Sequence, residues 1–190
     1  MKNMSTVAHF SLKHYEHMVA CGAFEGPFQK RVELIQGEIV EMSPINIAHA
    51  NCVTLLAEWG HDIVPRDRIM VRSQNPIRIA MSDSDPDPDV VWVERKEYSE
   101  HPEPADVLLL GEVADTSLDF DRTIKREIYA EAGIADYWIV NLLDKVIEVH
   151  REPAGKTYRR KTIHRADEPI RPLALPEATL IPSRLFGRNG

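Results

Sequence analysis

Acidic residues are concentrated in one short segment, DSDPDPDVVWVE, where aspartates occupy every second position from residue 83 to residue 89. Carboxylates at alternating positions followed by a glutamate are also the ligand spacing of a helix-loop-helix calcium site. Pro88, however, stands where such a loop needs the conformational freedom of a glycine. The VVWV run that follows is β-branched and aromatic, which is typical of a strand. We therefore expect Asp89 to begin a strand, and Asp83, Asp85 and Asp87 to form a solvated loop.

A second carboxylate that could do chemistry is Glu112, which follows an unbroken apolar run at residues 107–110. Such a run without alternation predicts a strand buried on both faces, near the centre of a sheet. A carboxylate next to that strand is rarely buried without a partner. Asp89 is weaker evidence on spacing alone, because it could simply begin its strand. That alternative stays open.

The rest of the chain supplies the elements that must position these carboxylates. Hydrophobic periodicity and turn residues predict alternating helices and strands, hence an α/β (α+β) fold in which helices flank a central mixed β-sheet. Ser11 and Gly22 mark the ends of the first helix, and the Gln36-Gly37 pair predicts a tight hairpin turn. In order, the predicted elements are a helix at 11–22, a hairpin at 31–42, a helix at 46–64, strands at 68–73, 76–80, 89–94 and 107–110, a helix at 119–134, and strands at 136–143, 146–152 and 156–163.

Length and composition are those of one globular domain covering residues 1–190, with 43% hydrophobic and 28% charged residues. No apolar run approaches the ~20 residues that span a bilayer, and the first thirty residues lack a secretory apolar region, so we expect a cytoplasmic protein without membrane contact. Cys21 and Cys52 have no metal-binding spacing and are expected to be reduced, buried thiols. The net charge of -7 argues against broad nonspecific nucleic-acid binding, although a local basic face remains compatible with it.

Four segments together resemble a known family: VELIQGEIVEMSP, PDVVWVE, LLLGEVADTSLDFDRTIKREIYAEAGIADYWIVN and LPEATLIPSRLF. They are similar to the bacterial domain family named "putative restriction endonuclease", a branch of the PD-(D/E)xK nuclease superfamily. The resemblance covers roughly residues 10–187, and its most specific part runs from Glu112 to Val140. It implies a restriction endonuclease-like core, in which a mixed sheet is flanked by helices and a carboxylate metal site lies at one sheet edge.

The resemblance assigns roles residue by residue. Pro88-Asp89 corresponds to the PD pair, Glu112 to the second acidic ligand, and Glu33 to an additional acidic residue upstream. The superfamily expects a lysine two residues after the second acid, but this chain has Ala114 there.

In this branch the lysine is displaced onto the following helix, where Lys125 is the matching residue. A different interpretation is that Lys125 only pairs with Asp121, four residues earlier on the same helix face.

The chemistry implied is hydrolysis of nucleic-acid phosphodiester bonds, with DNA as the expected substrate. Mg²⁺ or Mn²⁺ would supply an activated water and neutralise phosphate charge. Its ligands would be Asp89, Glu112 and the backbone carbonyl of Val113, with Glu33 completing the shell directly or through water. Lys125 would stabilise charge in the transition state.

A rival interpretation is a catalytically inactive module that binds nucleic acid or a protein partner. Ala114 and the acidic net charge favour it. Because duplex scission by a one-site domain needs two copies, we expect a homodimer. His49 is expected at the surface or in the cap region of its helix, with a smaller chance of contacting the scissile phosphate, whereas Tyr137 and Trp138 are expected in the core.

Two basic groups could face nucleic acid, although a solvated strand face explains either equally well. One surrounds the middle strands and the other follows the last hairpin: Arg66, Arg68, Arg72 and Arg78, and Arg159, Arg160, Lys161 and Arg165.

Overall fold

A mixed β-sheet organises the part of the chain that this computed structural model describes, residues 7–26 and 31–186. Within those residues six strands lie in the order β3-β4-β5-β6-β7-β8, and β1 and β2 form a separate hairpin. The pairing of β5 with β6 is parallel and the other pairings are antiparallel. The strands are β1 (Val32–Ile35), β2 (Glu38–Glu41), β3 (Ile69–Arg72), β4 (Val90–Glu94), β5 (Val107–Ala114), β6 (Asp136–Asn141), β7 (Val146–Ala154) and β8 (Thr157–His164).

Helices cover both faces of this sheet, as the alternation of strand side chains requires. Helix α1 (Leu12–Ala20) packs Leu12 and Tyr15 against Leu34 of the hairpin. Helix α2 (Ile47–Ile63) packs Leu56 into the cluster that contains Trp92 and Trp138. On the opposite face a third helix packs Ile128 into the cluster that contains Tyr137. The predicted mixed sheet, flanked by helices, is confirmed. None of the helices in the described ranges is both long and apolar enough to cross a membrane.

The third helix, residues 118–131, changes its hydrogen-bond pattern in the middle. It is α-helical over Leu118–Phe120 and Arg126–Glu131 and π-helical over Asp121–Lys125. A π turn places one extra residue in the turn and so rotates the side chains on it; such turns are frequent at functional sites. Here both Asp121 and Lys125 are buried, with 3% and 2% of their surface exposed. The alternative of a solvated surface pair is therefore wrong.

The β1–β2 hairpin forms as predicted, with positive φ angles at Gln36 (51°) and Gly37 (79°). This turn geometry suits the twist of two antiparallel strands. The hairpin also contacts the acidic segment, because Leu34 forms an isolated bridge with Asp85 and Gln36 N–H donates to Ser84 Oγ at 2.9 Å. The hairpin is thus attached to the residues that lead into β4.

The strand predicted at residues 76–80 is wrong. Pro76 removes a backbone donor, and the N–H groups that follow bind loop carbonyls: Ile77 binds Pro86, and Arg78 binds Pro102. Ile77 and Ile79 are both fully buried, so their alternation resembles that of a strand. Among the described residues, however, Ile79 forms only an isolated bridge with Ser84 and neither residue belongs to a strand. A short 3-10 turn, Ala80–Ser82, follows instead.

The acidic segment is only partly the solvated loop expected. Asp83 is exposed, but Asp85 is buried and Asp87 is partly buried. The compact path between the 3-10 turn and β4 folds these two side chains inward. Glu112 also differs from expectation, because β5 continues through it to Ala114 and Glu112 lies inside the strand. Of the two cysteines, Cys52 is buried as predicted, whereas Cys21 is exposed.

Glu148 on β7 joins the third helix to the last two strands. It is 1% exposed, and it accepts from Arg122 Nε at 3.0 Å and lies 2.6 Å from Lys161 Nζ. Burial by itself would raise the pKa of Glu148, but hydrogen bonds from His150, Arg122 and Lys161 outweigh it and hold the pKa well below its usual range. The ionised carboxylate is therefore a structural anchor for the helix that carries Lys125.

The anchor can be tested with Glu148→Gln. At neutral pH the variant should lose ~1–3 kcal/mol of unfolding free energy, because hydrogen bonds to a charged group are lost. Since folding lowers the pKa of Glu148, its contribution is fully present above its unfolded pKa of 4.5 and declines as pH falls through the folded value. In urea unfolding, the difference in unfolding free energy between wild type and Glu148→Gln should therefore become smaller at acid pH. Glu177→Gln, at an exposed position, serves as the control. A free-energy difference between wild type and Glu148→Gln that stays constant at every pH would contradict the role of Glu148 as an ionised anchor.

Candidate functional site

One cavity of about 280 Å³ is lined by Glu33, Asp89, Glu112 and Lys125, the four side chains singled out in the sequence. They come from β1, the residue preceding β4, β5 and the π turn. The register of β4 and β5 pairs Val90 with Gly111, which places Asp89 beside Glu112. Residues that are far apart in the chain are thus brought together by strand pairing and by the two elements packed around it.

Asp89 and Glu112 are in direct contact. The backbone N–H of Asp89 lies 3.4 Å from Glu112 Oε2. The Asp89 carboxylate accepts from the N–H of Val113 at 2.8 Å and from the amide of Gln74 at 3.2 Å. These donors fix the orientation of the Asp89 carboxylate. The contact that Val113 makes here is through its N–H, and the ligand role of its carbonyl stays a prediction.

Lys125 lies between two carboxylates. Its Nζ is 3.1 Å from Glu112 Oε1 and 3.1 Å from Glu33 Oε2. Tyr129 donates its hydroxyl to the same Glu112 oxygen at 2.8 Å. Burial alone would lower the pKa of Lys125, but the charges of Glu112 and Glu33 outweigh it and raise that pKa. Lys125 is therefore a buried ammonium group at neutral pH.

His49, on the first turn of α2, contacts the site from the opposite side. Its Nε2 is 3.2 Å from Asp89 Oδ2, and its side chain is only 16% exposed. Burial lowers the pKa of His49, but the hydrogen bond and charge of Asp89 raise it above 6.5 overall. The pKa of Asp89 is lowered overall. Burial alone would raise it, but the hydrogen bond and charge of His49 and the N–H of Val113 outweigh burial. His49 does lie in the cap region of α2, where its backbone N–H donates to Asn46 Oδ1 at 2.9 Å. Its ring, however, faces inward to Asp89 and is not a surface group, because the first turn of α2 packs over the end of β4.

Four further acidic residues line the cavity and were not predicted as site residues: Glu41, Asp87, Asp115 and Asp121. Two of them have clearly raised pKa values. Burial, with the charges of Glu33 and Asp85, raises the pKa of Asp87 to about 7. Burial also raises the pKa of Asp121 to about 6, although Lys125 and a 2.7 Å hydrogen bond from Ser117 act against it. A sequence signal existed for Asp87, which precedes Asp89 by two residues. None existed for Asp121, whose inward direction depends on the π turn.

Carboxylate side chains outnumber cationic side chains around this cavity, which fits a hard divalent cation. Burial raises the pKa of Glu112 to about 8 even though Lys125 lowers it, and a bound cation would favour its ionised form. Carboxylate oxygens are the donors that Mg²⁺ and Mn²⁺ prefer, and Mg²⁺ needs only one or two of them because it retains water. No three ligand-type side chains in residues 7–26 and 31–186 are grouped closely enough to enclose a metal. Asp89 and Glu112 can supply those one or two carboxylates, so the donor set fits a cation that keeps solvent ligands.

Comparison with known proteins agrees with this architecture. A family model, Uma2, described as "Putative restriction endonuclease", matches residues 21–183. Among solved structures, "a putative nuclease belonging to DUF820" from Anabaena variabilis is 12% identical, with a TM-score of 0.69 over 93% of this chain and 97% of that chain. At that identity the likeness shows a shared fold. No curated protein gives a significant match.

The His49–Asp89 contact predicts a pKa change that NMR can measure without any reaction. In Asp89→Asn the charge that raises the pKa of His49 is removed while its burial remains, so that pKa should fall below its wild-type value. Ring-proton titration in EDTA would measure it, with the His49 signal assigned from a His49→Gln sample. His101, whose pKa is raised mainly by its hydrogen bond to Asp85, is the internal control and should not move. An unchanged His49 pKa would show that the contact does not exist in solution.

Proposed function

Because the chain belongs to the Uma2 family of "putative restriction endonucleases", we propose that it is a nuclease that hydrolyses phosphodiester bonds using Mg²⁺ or Mn²⁺, with DNA as the expected substrate. The observation that carries the proposal is the buried contact of Lys125 with Glu112 beside Asp89. Two carboxylates and an ammonium group thereby occupy one cavity. This is the set of charges that phosphodiester hydrolysis requires.

The carboxylates bind the cation in this mechanism. Asp89 and Glu112 are the proposed direct ligands, with the Val113 carbonyl, and Glu33 acts directly or through water. When bound, the cation supplies an activated water and neutralises charge on the phosphate. Gln74 and the N–H of Val113 hold the Asp89 carboxylate in one orientation, so it need not reorganise to bind.

Lys125 supplies the second positive charge. Ala114 occupies the strand position where the superfamily expects lysine and is fully buried, so no cation can act from there. The π turn directs Lys125 to the same region from the neighbouring helix. Because its ammonium is fixed before substrate arrives, it can stabilise charge on the phosphate oxygens at little reorganisation cost.

His49 is proposed as a positioning residue that acts through Asp89. Its 3.2 Å contact with Oδ2 restrains the carboxylate on the side away from Gln74. A proton on His49 also favours the ionised form of Asp89, which is the form that binds a cation.

The rival function, an inactive binding module, rests on Ala114 at the usual lysine position. The 3.1 Å contact between Lys125 Nζ and Glu112 Oε1 places an ammonium group in the acidic cavity and favours catalysis over that alternative. The homodimer stays a prediction; duplex scission from one site per chain would require it, and sedimentation of the purified protein would test it.

The metal ligands are tested by Asp89→Asn and Glu112→Gln. With Mg²⁺ or Mn²⁺ the wild type should nick or degrade nucleic acid, and each variant should lose this activity because cation capture is weakened. Cleavage assays on single- and double-stranded DNA and RNA, beside calorimetric titration of Mn²⁺, measure both quantities. Metal binding by the wild type without cleavage of any substrate would favour the inactive module.

The lysine is tested separately, because it should act on the transition state and not on the ion. Lys125→Met should lower turnover by about 10²-fold or more while Mn²⁺ affinity is retained, since removing the ammonium leaves more negative charge for the cation. Lys125→Arg should restore little, because a planar guanidinium does not reproduce a compact ammonium. Lys13→Met, at an exposed position on α1 (Leu12–Ala20), is the matched control. Full activity in Lys125→Met would exclude the lysine from the mechanism.

A further inference from the structure

A groove leads away from the acidic cavity along helix α2. A second cavity, of about 370 Å³, shares Ile45 with the acidic cavity and is lined by Val53, Ala57 and Gln74. A third, of about 630 Å³, shares His61 and Ser73 with the second. Each cavity therefore adjoins the next, and we call the second and third together the α2 groove.

We propose that the α2 groove binds an unpaired nucleic-acid strand and feeds it to the acidic cavity. The inference rests on the proposed function, because it specifies the form of the substrate at the same site. It makes a prediction that the metal site does not: recognition extends well beyond the scissile phosphate.

One face of α2 forms a wall of the groove over most of the helix. Ala50, Val53, Ala57 and His61 recur at helical spacing on that face. His49 begins the same side of the helix and contacts Asp89. On the opposite wall, Gln74 lines the groove and donates to Asp89 at 3.2 Å. Both walls therefore end at the same proposed metal ligand.

The far end of the groove is basic and aromatic. Arg72, Lys96 and Tyr98 line the third cavity. Arg72 donates to the neutral amide oxygen of Asn75, a contact that leaves its positive charge uncompensated. Lys96 pairs with Asp106 at 2.5 Å and also lies 5.1 Å from the centre of the Tyr98 ring. Cationic side chains beside an aromatic ring are the usual components of single-strand binding surfaces.

The middle of the groove distinguishes an unpaired strand from a duplex. Its walls are mainly apolar, with Ile45, Ala50, Val53 and Ala57 facing the cavity. A duplex presents phosphates and sugars on its outside and keeps its bases stacked within. An unpaired strand can turn its bases onto an apolar wall and leave its phosphates toward solvent and the basic end.

The length of the groove sets the size of the ligand. From His49 to His61 the helix rises ~18 Å at ~1.5 Å per residue. At ~3.4 Å per nucleotide this corresponds to about five stacked nucleotides. The groove is thus long enough to bind several nucleotides beyond the scissile bond.

Charge reversal at the groove rim gives a test in which binding should improve. Glu58 is exposed and lines the second cavity, whereas Asp62 is exposed on the same helix outside the groove. The probe is a fluorescein-labelled oligothymidine of about 12 nucleotides, measured by anisotropy in EDTA and low salt. Glu58→Lys should tighten binding about threefold to tenfold, and Asp62→Lys less than about twofold, because only the first charge lies beside the bound strand. Equal effects of the two changes would overturn the proposal.

Loss of the basic end should have the opposite effect. Arg72→Gln should weaken oligothymidine binding about fivefold and reduce the slope of log K against log salt by ~0.7, as expected for losing one phosphate contact. Arg160→Gln, an exposed arginine on the edge strand β8, is the matched control. The proposal would also be overturned if the wild type showed no measurable oligothymidine binding, or if it bound a duplex of equal length more tightly.

The binding experiments need no metal and no turnover, so the two proposals fail separately. Groove-dependent binding without metal-dependent cleavage would retain the groove and reject the nuclease mechanism. Cleavage that is unaffected by the groove variants, with unchanged oligothymidine affinity, would retain the nuclease mechanism and reject the groove.

Discussion

The buried ammonium of Lys125 is the interaction on which the arrangement of the site depends. It joins Glu33 of the β1–β2 hairpin to Glu112 of the central strand β5, while Lys125 itself lies on the third helix. Burying a charge is costly unless partners compensate it, and here each carboxylate needs the lysine as much as the lysine needs them. Three elements with no sequence proximity therefore converge on a single positive charge.

Lys125 does not compensate all the carboxylates around the cavity, and this has a chemical consequence. Asp87, Glu112 and Asp121 all have raised pKa values, and burial is the largest cause for each. Burying these carboxylates, with their mutual repulsion as a smaller cause, lowers the stability of the cation-free protein. A divalent cation would compensate the charge of their ionised forms. Binding of the proposed divalent cation would therefore stabilise the folded protein.

The surrounding scaffold is built to tolerate this cost. The six-stranded sheet has apolar clusters on both faces, and Trp92 and Trp138 are fully buried on the α2 side. Glu148 anchors the third helix on the other side through its contacts with Arg122 and Lys161. The acidic cavity lies where two strands, a hairpin and two helices meet, and each of these elements also packs into an apolar cluster. Rigid support of this kind keeps charged groups in place before a ligand binds.

The sequence by itself determined the mixed sheet and most of its strands, and its resemblance to a nuclease family identified Glu33, Asp89, Glu112 and Lys125 as candidate site residues. Apolar runs and turn residues report burial and local backbone geometry, which are properties of short segments. It failed where a side chain's direction depends on distant contacts. The alternating Ile77 and Ile79 imitate a strand because burial alone does not reveal whether a pairing partner exists.

Only the tertiary structure decided what the lysine and the extra acids face. Asp121 and Lys125 are four residues apart, a spacing that on an ordinary helix allows a surface ion pair. In the structure, the π turn and the packing of the third helix bury both side chains. His49 meets Asp89 because α2 crosses the end of β4, a placement that no local pattern specifies. The physical reason is common to these cases: charge and burial at a site are sums over neighbours from the whole fold, whereas sequence periodicity reports only each segment's own preference.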